Sequence, residues 1–211
     1  LATAHRKDSQ GICFVGRVHL PTFLQQKLKA IKGTVIEIPA DFETVKWQTG
    51  FPDGMPDIEF LKTAARPFDF TGVRGKVAGE HNGAHFFTTG QRKGINIGGY
   101  REPLFVLATD TNANVLYVGE GDSHPGLYRK GLFIRAEEIH WIRNDLEMKI
   151  DEIRDFDVRI RYRQPLQKAR LFRKKEGMYI IFSKLQRGIT PGQFAAWYDG
   201  EELIGSGVID R

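Results

Sequence analysis

From Val77 onward, short apolar segments alternate with turn-forming residues, and within each segment apolar and polar positions tend to alternate as in half-buried β-strands. The pattern predicts strands over residues 77–81, 84–88, 104–109, 115–119, 132–142, 156–163, 169–172, 178–182, 193–198 and 203–209. Short strands at this spacing indicate a sandwich or barrel.

Turn residues predict which of these strands are joined as hairpins. Asn82-Gly83, between two apolar segments, is a strong signal for a two-residue hairpin, and residues 110–114 form the loop of a second one. Asp199-Gly200 predicts a further turn.

The first third of the chain follows a different pattern. Leu20, Phe23, Leu24 and Leu28 have nearly helical spacing, which predicts a short helix, and residues 33–38 alternate as a strand. Residues 40–76 mix proline, glycine and aromatic residues, which predicts a long loop with a helical turn near residues 58–65. Nothing in the sequence assigns this segment a role.

A turn sequence at His124-Pro125-Gly126 suggests a boundary between two domains. We predict a mainly β chain: a β-rich central domain with a short helix in residues 1–127, followed by a C-terminal β-barrel in residues 128–211.

Composition narrows the class of protein. The 211 residues are 41% hydrophobic and contain one cysteine, which argues against a disulfide framework and favours a reducing, cytoplasmic setting. No apolar run is long enough to cross a membrane. The net charge of +5 and the pI near 9.3 favour polyanionic partners. We expect a monomer.

The single cysteine, Cys13, lies in the sequence Asp-Ser-Gln-Gly-Ile-Cys-Phe-Val-Gly. One interpretation is a small buried hydrophobic residue between Ile12 and Phe14. The other is a reactive thiolate in a mobile loop between Gly11 and Gly16, with a pKa lowered by nearby basic residues. The residues alone leave both open.

Two basic segments could bind anions. Residues 88–99 combine four glycines and two threonines with an Arg92-Lys93 pair, but they lack the spacing of a phosphate-binding P-loop or a dinucleotide fingerprint. Residues 154–175 carry nine lysines and arginines against two aspartates. If the segment is a strand, Arg159, Arg161 and Arg163 share one face about 6.6 Å apart and form a comb for phosphates.

The histidines do not suggest a metal site. His81 and His85 straddle the predicted Asn82-Gly83 turn and have no thiol or carboxylate partner in a ligand pattern. We therefore expect no metal.

Four motifs in order make the chain recognisable. They are Asp-Ser-Gln-Gly-Ile-Cys-Phe-Val-Gly, Thr-Gly-Gln-Arg-Lys-Gly-Ile-Asn-Ile-Gly-Gly, Arg-Ile-Arg-Tyr-Arg-Gln and Ile-Thr-Pro-Gly-Gln-Phe-Ala-Ala-Trp-Tyr-Asp-Gly-Glu. Together they resemble the C-terminal half of the bacterial tRNA-specific 2-thiouridylase family, formerly labelled tRNA (5-methylaminomethyl-2-thiouridylate)-methyltransferase. Gln10, where relatives often have Thr, and the length of residues 40–76 depart from the family pattern.

The resemblance implies an activity. Enzymes of this family activate C2 of the wobble uridine of tRNA with ATP and replace its oxygen with sulfur carried as a cysteine persulfide. Cys13 matches the persulfide carrier, loaded by an upstream sulfur-relay or cysteine desulfurase protein. The ATP site and a second, resolving cysteine belong to an N-terminal domain that this chain lacks, so the resemblance implies an inactive fragment.

The resemblance also implies that residues 128–211 form a barrel like those of translation factors and that this barrel contacts tRNA. Arg161, Tyr162 and Gln193 match family tRNA contacts. Our own inference adds Arg159, Arg163, Gln91, Arg92 and Lys93.

Two alternatives remain. One is a non-catalytic RNA-binding protein with a translation-factor-like barrel and a buried Cys13. The other is the older methyltransferase activity, for which no residues that would hold S-adenosylmethionine are found.

Overall fold

The computed structural model describes residues 29–210 except Glu43 and Arg163, so Cys13 and the helix predicted over residues 20–28 lie outside the described residues. The described chain is mainly β, as predicted. Its one α-helix has eight residues, far fewer than a bilayer crossing needs. The elements are β1 (Gly33–Glu37), α1 (Ile58–Ala65), β2 (Lys76–His81), β3 (Leu104–Asp110), β4 (Val115–Glu120), β5 (Tyr128–Arg135), β6 (Ile139–Trp141), β7 (Ile153–Arg159), β8 (Gln167–Lys174), β9 (Gly177–Arg187), β10 (Phe194–Asp199) and β11 (Glu202–Val208).

The first sheet has four strands in the order β2-β1-β4-β3. β1 runs parallel to β4, and the other pairs are antiparallel. The predicted hairpin of β3 and β4 is confirmed: the Asp110 carboxylate accepts from the amides of Asn112 and Ala113, both at 2.9 Å, and so closes the turn. Fully buried side chains hold the sheet together, among them Val35, Val106, Leu116 and Val118.

The hairpin predicted at Asn82-Gly83 is wrong. β2 pairs with β1 instead, and residues 84–86 form one 3₁₀ turn. The Gly83 amide donates to His81 Nδ1 at 2.9 Å, and the Ala84 amide donates to Asn114 Oδ1 at 3.0 Å. A two-residue hairpin would need the Ala84 amide for a hydrogen bond between its two strands. The hairpin does not form because this amide donates to the Asn114 side chain instead.

The second sheet has seven strands in the order β5-β9-β8-β7-β10-β11-β6 and curls into a half-barrel, in agreement with the predicted barrel. The sheet curls back on itself where the Asp210 amide donates to the Phe133 carbonyl at 2.9 Å and the Asp210 carboxylate lies 3.2 Å from Arg135 Nε. A 3₁₀ turn over residues 136–138 divides the strand predicted over 132–142 into β5 and β6. Inside the curl, Trp197, Leu171, Ile180 and Phe182 are fully buried.

The helical turn predicted near residues 58–65 is confirmed as α1, and it packs on the other face of the second sheet. Asp57 caps its N-terminus by accepting from the Phe60 amide at 2.7 Å. Leu61 is fully buried against residues that point away from the barrel interior, such as Phe172 and Ile181. α1 therefore covers hydrophobic surface that the barrel cannot bury by itself.

A buried lysine fixes the segment before α1. Lys130 of β5 is 3% exposed, and its ammonium group donates to the carbonyls of Gln48, Gly50 and Ser183 at 2.9, 2.8 and 3.3 Å. Burial lowers the pKa of Lys130. Three carbonyl acceptors satisfy all three of its donors, so the buried ammonium holds residues 48–50 against the second sheet.

The two sheets meet along a seam between the ends of β3 and β4 and the start of β5. Leu127 and Tyr128 pack there with Phe70, Leu107 and Tyr117. On the same seam, the Arg187 guanidinium lies over the Phe105 ring at 4.8 Å, and the Gly188 amide donates to the Leu127 carbonyl at 2.8 Å. The loops that carry the predicted RNA contacts lie beside this seam.

Candidate nucleic-acid interface

The arginine comb predicted on one strand does not form. β7 ends at Arg159, and residues 160–162 leave the sheet in a bend. Arg159 Nη1 donates to the Tyr162 carbonyl at 3.1 Å and its guanidinium lies 5.5 Å from the Tyr198 ring, whereas Arg161 points to Gly188. Arg163 lies outside the described residues. The described arginines therefore diverge instead of sharing one face.

Gln164 explains why the strand stops. The side-chain oxygen of Gln164 accepts from the backbone amide of Ile160 at 3.2 Å, and the backbone amide of Gln164 donates to the Arg161 carbonyl at 3.0 Å. These two bonds close a turn and occupy a backbone amide that a longer β7 would use to pair within the sheet.

The Arg161 side chain reaches across the seam. Its Nη2 donates to the Gly188 carbonyl at 2.9 Å, and a methyl group placed on Gly90 would lie 3.4 Å from the same nitrogen. Partial burial lowers the pKa of Arg161, and the nearby charge of Arg187 lowers it further. Arg161 remains a cation at neutral pH, held between a loop of each sheet.

Tyr162 and Gln193 lie on the same side of the barrel. In the β7–β10 pairing Arg159 is opposite Ala196, so the turn that follows Arg159 begins beside the start of β10. Gln193 is half-buried there, while Tyr162 is 65% exposed and Phe194 is 62% exposed. Tyr162 belongs to the turn that contains Arg161, whereas Gln193 and Phe194 lie at the start of β10. Phe194 was not predicted as a site residue.

The predicted loop at residues 90–94 adjoins this turn, but its residues differ in role. The Gln91 side chain accepts from the Thr88 amide at 3.1 Å and donates to the Lys93 carbonyl at 2.7 Å, so it shapes the loop from within. Arg92 and Lys93 are exposed. Only these two side chains of the loop are free to reach a ligand in solvent.

A groove of about 530 Å³ opens below Arg161; we call it the seam groove. Its lining consists of Tyr128, Arg161, Gln164, Gln167, Lys184, Leu185, Gln186 and Arg187. Sequence reasoning missed Lys184 and Arg187, because they belong to β9 and meet Arg161 only through the fold. The one local signal was Gly188, which follows Arg187 and adopts a φ of 66°.

His81 and His85, which the sequence did not suggest as a metal site, lie in different environments. His81 is buried and uses Nδ1 to accept from the Gly83 amide, and burial lowers its pKa. The ring of His85 packs instead on Phe86, 4.1 Å between centroids. The two side chains thus differ in contacts and in burial.

Two family models match the chain. Residues 59–120 match a tRNA methyl transferase PRC-barrel domain, and residues 132–209 match an aminomethyltransferase beta-barrel domain. The seam between the sheets lies between these two matched regions.

Similar proteins are named tRNA-specific 2-thiouridylase MnmA. The chain is 50% identical over 210 residues to the one from Christiangramia forsetii, covering 99% of this chain and 52% of the relative. It is 49% identical over 209 residues to the one from Flavobacterium johnsoniae, again covering 99% and 52%. The relative from Halalkalibacterium halodurans is 36% identical, with 100% and 46% covered. The chain spans about half the length of the curated relatives it matches.

Proposed function

Because the chain belongs to the tRNA-specific 2-thiouridylase family, we propose that it grips tRNA along the seam and carries the sulfur that replaces the C2 oxygen of the wobble uridine. The position of Arg161 is the observation that carries this proposal. A cation that bridges loops of both matched regions is suited to a backbone phosphate, which is the chief source of affinity in nucleic-acid binding.

The neighbouring residues suit the same ligand. Tyr162 and Phe194 offer exposed rings on which unpaired bases can stack, and Gln193 directly precedes Phe194 in the chain. Arg92 and Lys93 extend the positive charge onto the first sheet. In this proposal Arg159 has a supporting role, because its guanidinium already bonds the Tyr162 carbonyl.

Cys13 is the proposed sulfur carrier. A thiolate is required both to accept a sulfur atom from a donor protein of the sulfur-relay or cysteine desulfurase class and to present it as a persulfide nucleophile. This role follows from the family motif around Cys13, which lies outside the described residues.

We place ATP binding outside this chain. The glycine-containing loop at residues 90–94 does not fit a nucleotide phosphate site, because the chain continues from it without a helix to β3. On this proposal the 211-residue chain binds tRNA but does not thiolate it alone.

The carrier role is tested by Cys13→Ala in the full-length enzyme. We expect 2-thiouridine to disappear, while tRNA affinity stays within about twofold because the thiol is not a binding group. Mass spectrometry of digested tRNA measures the product. If 2-thiouridine persists in the variant, Cys13 is not the carrier and the non-catalytic RNA-binding hypothesis gains support.

The tRNA-binding role is tested by Arg161→Ala. Loss of one phosphate contact should flatten the log–log dependence of tRNA affinity on salt by about one unit. Arg143→Ala is the matched control, since Arg143 is already paired with Asp145 and Glu202 at 2.7 and 2.5 Å. Equal slopes for the two variants would contradict a contact at Arg161.

A further inference from the structure

The seam groove contains cations without counter-ions. Arg161, Lys184 and Arg187 line it, and its lining contains no aspartate or glutamate. Within the described residues, none of the ion pairs closer than 4.0 Å involves any of these three side chains.

On the neighbouring strand β8, three of the four cations are paired with carboxylates. Lys168, Arg170 and Lys174 each lie within 3.0 Å of an aspartate, at 2.9, 2.7 and 2.8 Å, and the fourth cation, Arg173, donates to the carbonyls of Lys174 and Gly177. The sheet therefore neutralises most of the positive charge of β8 and leaves that of the groove without counter-ions. An uncompensated cluster costs folding free energy through repulsion, so a bound anion would relieve it.

Arg187 is the most confined member of the cluster. Its guanidinium lies over Phe105, and its Nε and Nη2 atoms are buried without a hydrogen-bond partner in the described structure. Water cannot solvate these atoms fully, so the charge of Arg187 acts on Arg161 at short range and lowers its pKa. The charge of Arg187 therefore raises the positive potential in which Arg161 sits.

The floor of the groove is already satisfied. Gln164 Nε2 donates to Gln186 Oε1 at 2.9 Å, and Gln186 Nε2 donates to Gln167 Oε1 at 3.4 Å. With these amides engaged to one another, the cations are the groups left for a ligand. Leu185 is exposed in the lining of the groove, and Tyr162, which follows Arg161 in the chain, is also exposed, so both offer apolar surface for the sugar and base beside a phosphate.

We propose that the seam groove binds one phosphodiester group of RNA. Arg161 and Lys184 donate to the phosphate, and the charge of Arg187 raises the positive potential at the phosphate without contacting it. This inference rests on the proposed function and names a subsite of it. Arg187 is a positioning residue: it holds its charge next to Arg161 and does not touch the phosphate.

Inorganic phosphate is the first probe, added to the full chain without RNA. We expect it to shift the Nε–H resonance of Arg161, and Arg187→Gln should weaken the apparent affinity severalfold, whereas Arg187→Lys retains most of it. No shift at Arg161 in the parent chain would overturn the site.

The second probe is tRNA at 50 and 200 mM salt. Arg187→Gln and Lys184→Gln should each flatten the salt dependence, so that the loss of affinity is about threefold greater at 50 than at 200 mM. Lys184 is exposed, so its variant remains informative if Arg187→Gln fails to fold. Lys174→Gln is the control of equal charge, since Lys174 lies at the opposite end of the β8–β9 hairpin, about 23 Å away along β9.

The outcomes separate the inference from the proposed function. If phosphate binds but Arg187→Gln and Lys184→Gln leave the salt dependence of tRNA binding like that of the control, the groove holds small anions only and the inference is overturned. If the parent chain does not bind tRNA, the proposed function itself is overturned, and the RNA subsite with it.

Discussion

Two glycines decide where the Arg161 guanidinium lies. Gly188 adopts a φ of 66°, and a side-chain carbon there would collide with Nη2 of Arg161. Gly90, with a φ of 84°, approaches the same nitrogen from the other sheet. Glycine is required at both positions for the backbone conformation, and at Gly188 also for space.

A matched pair of variants separates these two requirements. Gly188→Ala and Gly192→Ala place alanine at φ values of 66° and 82°, but nothing lies within 4 Å of a side-chain carbon at Gly192. Each should cost about 1 kcal/mol of unfolding free energy for the strained backbone. Because only Gly188→Ala pushes Arg161 aside, only that variant should weaken tRNA binding. Thermal unfolding and filter binding measure the two effects, and equal tRNA affinities would contradict the assigned position of Arg161.

Single residues also limited what sequence could predict about the site. Arg161 and Tyr162 were predicted from a local motif that resembles the family's tRNA contacts, and such a motif needs no knowledge of the fold. Lys184 and Arg187 were missed because their proximity to Arg161 arises from a seam between two sheets. Gln91 was assigned to the ligand from its position in a basic loop, whereas its amide is engaged with Thr88 and Lys93.

At the scale of elements, the predictions succeeded where a segment's partner is its neighbour in sequence. The β3–β4 hairpin and α1 depend on local caps, Asp110 and Asp57, which are visible in the sequence. The Asn82-Gly83 hairpin and the long β7 failed because side chains took the backbone amides that those elements needed. One of these side chains, Asn114, lies 30 residues away from the amide it accepts from, so no local pattern reveals it.

The segment before α1 offers a prediction at this scale. Lys130→Met should leave three carbonyls without their buried donor and cost about 2–3 kcal/mol of unfolding free energy. Residues 48–50 should then exchange their amide hydrogens faster and be cut sooner by protease. Lys46→Met, a change at an exposed lysine of the same segment, serves as the control. Unchanged exchange in Lys130→Met would show that other contacts hold the segment.

At the scale of the molecule, His124 fastens the connection between the two sheets to the segment that follows β1. Its Nδ1 accepts from the Gly126 amide at 3.1 Å and its Nε2 donates to the Ile38 carbonyl at 3.0 Å, while the ring stacks on Phe42. Only a neutral ring can accept at Nδ1, and burial lowers the pKa of His124. Burial lowers the pKa of His81 in the same direction.

The pH dependence of unfolding follows from these two histidines. The unfolded chain takes up protons near pH 6.5, before the folded chain does, so stability is full above about pH 6.5 and falls as the pH drops below it. Each histidine contributes at most about 1.4 kcal/mol per pH unit. His124→Asn, which keeps an acceptor for Gly126, should reduce this acid sensitivity. Chemical denaturation between pH 5 and 8 measures it, and equal pH profiles for variant and parent would rule out His124 as a source.

Lys130 binds the main-chain carbonyls of Gln48 and Gly50 and not their side chains. The Lys130 bonds therefore place no requirement on the side chains of residues 48 and 49, whereas Gly50 needs to be glycine because of its φ of 101°. Residues 48 and 49 are therefore suitable positions for the attachment of a label. A fluorophore attached at Thr49 would be held against the second sheet, and its fluorescence anisotropy would test whether added RNA binds the chain.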